Sequence, residues 1–188
     1  MGKKWERIPL TPTEIQRVID ETDNLEEQFT LTFLADTGCR VNEFLRMKQD
    51  WFDFDAGKYG VVNIPPKTDS NGVRGAKTKK MKHVPMTLRL NLAVHAWFEF
   101  NKNGVLKSSV WCYNLCKRCA TRADIGKTLT PHVFRHSYAR NAFYYGKLKT
   151  LEIAALLGHK DAKMVETVYL KIDDQITSKK LEESGWLG

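Results

Sequence analysis

Apolar residues along this chain fall into long stretches spaced for helices, interrupted once by a stretch that is not. Thr11-Pro12-Thr13-Glu14 joins an N-cap, a proline at the first helical position and a capping-box glutamate, and predicts a helix from Pro12 to Thr22. Asn24 with Glu27 repeats the cap, and Gly38 closes a second helix through LEEQFTLTFLADT. A short helix, VNEFLRM, follows. From Trp51 the 3.6-residue period disappears, and aromatics, valines, glycines and prolines take over. This region predicts a small antiparallel sheet of Trp51–Asp55, Gly60–Ile64 and Lys80–Pro85, with a Gly/Asp/Ser-rich connection from Pro65 to Lys79.

Helical spacing then resumes. Thr87 caps TLRLNLAVHAWFEF, and SSVWCYNLCKRCATRADIG reads as a helix opened by Ser109 and closed by Gly126. Thr130-Pro131 opens HVFRHSYARNAFYY, which runs to Gly146. Thr150 caps LEIAALL, which Gly158 ends, and Asp161 caps AKMVETVYLKI. A last amphipathic piece covers Asp173–Glu183. The expected fold is mainly α with a small three-stranded antiparallel β-sheet, in a single domain over 1–188.

Composition narrows the function classes. A 42% hydrophobic content excludes a disordered chain, and no stretch approaches the roughly 20 apolar residues of a membrane span. MGKKWERIPL has no apolar run after its lysines, so no secretory signal is expected and the compartment is read as intracellular. The net charge of +8 makes a polyanion the first partner to consider. Cys112, Cys116 and Cys119 read C-x3-C-x2-C, but this spacing also places them on one stripe of a helix. With Cys39 they are expected as reduced core cysteines, not a metal site.

Four short segments carry candidate chemistry. In TPHVFRH, His132 and Arg135 project from the first turns of a helix whose N-terminus favours a phosphate. In TGCRVNE, Arg40 follows the helix-ending Gly38, with Glu43 placed to orient its guanidinium, and a planar fork suits a phosphodiester. In LLGHK…TVYLK, His159 sits at a helix end and Tyr169 is a candidate nucleophile. Between Lys67 and His83 runs a basic hairpin containing Lys77, Lys79, Lys80 and Lys82. Taken singly, each has a plainer explanation: helix capping or a surface ion pair for His132 and Arg135, a surface salt bridge for Arg40, half-buried packing for Tyr169, and a solvated strand edge for the lysines.

Their order is more telling: arginine, hairpin lysine, His-x-x-Arg, Gly-His, tyrosine. That order resembles the tyrosine recombinase/integrase family over nearly the whole chain, in its phage, viral or Xer-like forms. RIPLTPTEIQRVI resembles the opening of that family's catalytic domain, TGCRVNEFLRM its first arginine box, AKTKKMKHVPM its lysine hairpin, TPHVFRHSYA its second box, and LLGHKDAKMVETVY its third box and nucleophile. The resemblance implies the tyrosine recombinase catalytic-domain fold, without the N-terminal DNA-clamping domain most members carry.

The same resemblance implies site-specific DNA strand cleavage and rejoining through a 3′-phosphotyrosine, in DNA recombination or viral genome integration. Arg40, Lys77, His132, Arg135, His159 and Tyr169 are then the catalytic set, with Lys77 identified by counting eight back from Pro85. Glu43 holds Arg40; Lys79, Lys80, Lys82 and His83 are expected to contact DNA. His136 and His95 are read as structural. No metal or cofactor is implied, because bond energy is kept in the phosphotyrosine. The implied partner is a double-stranded recombination site, on which protomers assemble as a tetrameric synapse; a monomer is expected without DNA, and residues 173–188 form a tail exchanged between protomers. The family usually places tyrosine nine residues after the Gly-His histidine; here that position is Val168 and Tyr169 comes at ten. The rival readings are a type IB topoisomerase-like relaxation of DNA and a DNA-binding module with a decayed active site.

Overall fold

The computed structural model describes residues 8–66, 80–101, 107–159, 163, 165 and 166. Helix α1 (Pro12–Asp20) opens on the expected capping box: Thr11 Oγ1 accepts from the Glu14 amide at 3.2 Å, and Glu14 accepts from the Thr11 amide at 2.8 Å. It ends before Thr22, whose hydroxyl donates to the Ile19 carbonyl. Helix α2 (Leu25–Thr37) is the centre of the molecule. Every residue from Phe29 to Thr37 is buried, as expected of a helix packed on all sides. Two of its buried threonines, Thr30 and Thr37, donate to carbonyls one turn earlier.

After Gly38 comes α3 (Val41–Phe44), a single turn shorter than the VNEFLRM helix expected. A 3-10 turn, Gln49–Trp51, leads into β1 (Phe52–Asp53). With β2 (Val61–Ile64) and β3 (Lys82–Pro85) it forms an antiparallel sheet ordered β1-β2-β3, with strands shorter than predicted. Val62 pairs with Val84 and Ile64 with Lys82, so these side chains share the inner face; Asn63 and His83 pair on the opposite, outer face.

Helix α4 (Leu88–Phe100) lies against α2, where Trp97 stacks on Phe29 with ring centroids 5.0 Å apart. Helix α5 (Ser109–Arg122) is capped by Ser108 rather than Ser109. It stops before Gly126, because Asp124 takes the left-handed turn at φ 50° and the Ile125 amide returns to the Ala120 carbonyl. Its cysteine stripe faces the core, and all four cysteines are buried free thiols. Burial pushes Cys112 up to about 11 and holds Cys116 well above the ordinary thiol range. Among the described residues no cluster of histidine, cysteine or carboxylate is grouped to hold a metal, and no helix is long and apolar enough to cross a membrane.

Helix α6 (Pro131–Tyr144) is tied to the leading segment: the Leu10 amide donates to Ser137 Oγ at 2.8 Å, and Asn141 donates to the Leu10 carbonyl. Helix α7 (Thr150–Leu157) is capped at Lys149, with Glu152 accepting from the Lys149 amide, so Thr150 is its first residue, not its cap. Ala139 of α6, Ile153, Ala154 and Leu157 of α7, and Val165 form a second small core. The expected Asp161 cap and the piece at Asp173–Glu183 lie outside the described residues.

Candidate active site

Three helix ends meet at one point. Thr130 Oγ1 accepts from the Val133 amide and Pro131 fills the first helical position, so α6 begins there as the sequence predicts. His132 is exposed on the first turn, its ring edge-on to the buried His136 at 6.0 Å. One turn on, Arg135 is 1% exposed, one of the largest fully buried side chains.

A buried guanidinium needs acceptors, and the fold supplies them from the other two ends. Arg135 Nη1 donates to the Gly38 carbonyl and Nη2 to the Leu157 carbonyl, each at 2.8 Å. These carbonyls close α2 and α7, whose C-terminal dipole ends favour a cation. Both helices then turn away through left-handed glycines, Gly38 at φ 58° and Gly158 at φ 69°. A Cβ on Gly38 would lie 2.8 Å from the Tyr138 ring and 2.9 Å from Leu157, so this approach admits no side chain. Arg135 Nη2 also lies 3.0 Å from His159 Nε2. Arginine only donates, so Nε2 is the acceptor and a neutral His159 carries its proton on Nδ1.

Arg40 leaves the same turn, two positions after Gly38. It is the N-cap of α3, and Glu43 folds back on it: Oε2 accepts from the Arg40 amide at 2.8 Å and Oε1 lies 3.3 Å from Nη1. The Arg40 side chain is 32% exposed, whereas Arg135 is almost fully buried. Glu43 therefore holds Arg40 at the predicted spacing.

Lys82 differs from expectation. Predicted among the DNA-contacting residues, it is 4% exposed, and its ammonium sits 2.5 Å from Glu43 Oε2. Its strand position explains this: two residues from Val84 it shares the inner face, while His83 points out. That period-two alternation was the available signal, masked by the run of lysines around it. Burial alone would raise the Glu43 pKa, but the Lys82 ammonium and the Arg40 amide more than offset it and hold the carboxyl below its ordinary range. Burial draws the Lys82 amine down despite Glu43. Cys39 lies in the same field, and burial, reinforced by Glu43, pushes its thiol up to about 12.

Lys80 is exposed in the bend before β3 and His83 is exposed on the strand, with His83 Nδ1 2.7 Å from Asn63 Oδ1. His95, read as structural, is exposed on α4, and its ring stacks on Phe54 with centroids 4.4 Å apart. Lys77, Lys79 and Tyr169 lie outside the described residues. The structure thus brings Arg135 and His159 together at the Gly38 turn, with Arg40 two positions beyond that glycine and His132 one turn before Arg135 on α6. Such a set binds a tetrahedral anion and stabilises charge developing on it.

Known proteins resemble this chain in sequence and in fold. Residues 9–175 match the model of the phage integrase family. The tyrosine recombinase XerA of Pyrococcus horikoshii is 25% identical over 190 residues, covering 93% of this chain and 59% of the relative. XerD of Chlorobaculum tepidum is 27% identical over 171 residues, covering 89% and 56%. The chain thus spans somewhat more than half the length of these curated relatives. Among solved structures, a XerA recombinase superposes with a TM-score of 0.75 at 19% identity, over 98% of this chain and 65% of that one. A XerH recombinase bound to a palindromic difH substrate after cleavage gives 0.72 at 20% identity, over 100% and 55%. The fold is that of tyrosine recombinase catalytic domains, and with the family model matching nearly its whole length, this chain belongs to the phage integrase family.

Proposed function

We propose that this chain is the catalytic domain of a site-specific recombinase that cleaves and rejoins DNA through a 3′-phosphotyrosine intermediate. The observation that carries the reading is the Arg135 cradle: a buried guanidinium fixed by the ends of α2 and α7, beside Arg40 and His159. A fixed, dry guanidinium is costly to bury and suits charge that grows on a phosphate during reaction.

In this mechanism the Tyr169 oxygen attacks the phosphorus in line, forming one phosphorus–oxygen bond as the bond to the 5′ oxygen breaks. His132 accepts the tyrosine proton, and Lys77 gives a proton to the departing 5′ oxygen. Arg40 and Arg135 hold the non-bridging oxygens, and His159 donates through Nδ1–H. One ester replaces another, so the reverse attack by a 5′ hydroxyl rejoins the strand. The net charge of +8 supports binding to DNA chiefly through phosphates. The partner is a double-stranded recombination site on which protomers assemble, the free chain being monomeric.

The test is covalent trapping on a pool of nicked duplexes of randomised sequence. The wild type is expected to give a protein–DNA adduct, and Tyr169→Phe to bind the same DNA without one. An adduct formed by Tyr169→Phe would refute the assignment of the nucleophile.

A further inference from the structure

Of the two described lysines at β3, Lys80 is exposed and Lys82 is buried against Glu43. An apolar residue there would continue the face of Ile64 and Val84, whereas a buried ammonium carries a desolvation cost. Stability alone therefore does not account for a lysine. What it touches does. Glu43 Oε2 is shared between Lys82 at 2.5 Å and the Arg40 amide at 2.8 Å. The Arg40 guanidinium has one contact with Glu43 Oε1 at 3.3 Å, longer than the usual charge-assisted hydrogen bond. Without the Lys82 charge, the full negative charge of a half-buried carboxylate falls to Arg40. The two would close into a paired fork, turning the guanidinium inward.

We propose that Lys82 is a positioning residue: by engaging the Glu43 carboxylate, it keeps the Arg40 guanidinium available to a DNA phosphate. The proposal rests on the recombinase reading for its ligand. It also joins β3, which comes after the segment carrying Lys77, to the turn that carries Arg40.

The experiment measures binding of a short duplex DNA across a salt series, using the full chain and the variants Arg40→Gln, Lys82→Met, Lys82→Arg and Lys82→Met/Glu43→Gln. Each phosphate neutralised contributes about 0.9 to the slope of log K against log salt. Arg40→Gln and Lys82→Met should each lose about 0.9 from the slope. The double variant, in which Arg40 no longer faces a carboxylate, should return to the wild-type slope, and Lys82→Arg should keep it. A double variant as low as Lys82→Met would mean that Lys82 contacts DNA itself, and would overturn the proposal. So would a wild-type slope in Lys82→Met, the result of a role confined to packing, or in Arg40→Gln. Should Lys82→Met not fold, Lys82→Gln replaces it, with circular dichroism as the control. Adduct formation by the wild type on the nicked pool is scored separately. Its absence would remove the recombinase reading while the slopes still decide the role of Lys82.

Discussion

Arg40 and Arg135 are chemically identical, but their surroundings give them different liabilities. Arg135 satisfies two buried carbonyls, so Arg135→Met should lower stability by about 1–3 kcal/mol for each carbonyl left without a donor. Arg40 makes a partly exposed contact, and Arg40→Met should cost under about 1 kcal/mol. Both should reduce adduct formation by ~10²-fold, as when one preorganised donor is lost. Urea denaturation separates the two variants where the cleavage assay does not; equal stability losses would contradict the cradle. Glu43 adds a pH dependence. Its carboxyl is held below the ordinary 4.5 in the folded state, so just below that value the unfolded chain binds more protons. Its stabilisation is complete above the unfolded pKa and lost as pH falls through the depressed folded one. Glu43→Gln should therefore flatten part of the acid limb of stability, read as urea midpoints between about pH 3 and 6. Arg40 and Glu43 were legible because their spacing is local. Lys82 was not, because its partner is 39 positions away in sequence and only the strand register reveals which way it points.

Helix ends decide the geometry at the scale of elements. The C-termini of α2 and α7 and the first turn of α6 meet, and each was readable from a cap or a glycine: Gly38, Gly158, Thr130. Caps that slipped by one residue show the limit of such reading. Ser108 and Ser109 are equal candidates by type, and only the structure shows that Ser108 has the extended backbone and accepts from Trp111. Ser108→Ala should cost about 1 kcal/mol and Ser109→Ala much less, measured by thermal or urea unfolding; the reverse order would restore the sequence assignment. Gly126 was a sound terminator by type, but Asp124 reached the left-handed conformation first, which asparagine and aspartate tolerate. Strand β1 begins one residue late because Trp51 belongs to a 3-10 turn, and only Phe52 and Asp53 pair in the ladder.

For the whole molecule, the open question is how one chain meets another. The net charge of +8 opposes association of naked protomers, and DNA removes that repulsion. We propose that residues 173–188, KIDDQITSKKLEESGWLG from its third residue on, dock on a neighbouring protomer when both are bound to DNA. The segment carries Ile176 and Leu181 among polar residues, and the apolar pair Trp186-Leu187 follows Gly185 in sequence. Such a segment contributes little between chains at dilute concentration. Two chains on one duplex are held at high effective concentration, and the same contact then counts. Removing Asp173–Gly188 should leave a folded monomer with unchanged affinity for a single site, but weaken cooperative binding to a two-site duplex by roughly 10²-fold or more. Sedimentation of the full and shortened chains, with and without the two-site DNA, reads this directly. Equal assembly by both would show that the tail covers only its own domain, and a shortened chain that fails to fold would place it in the core instead.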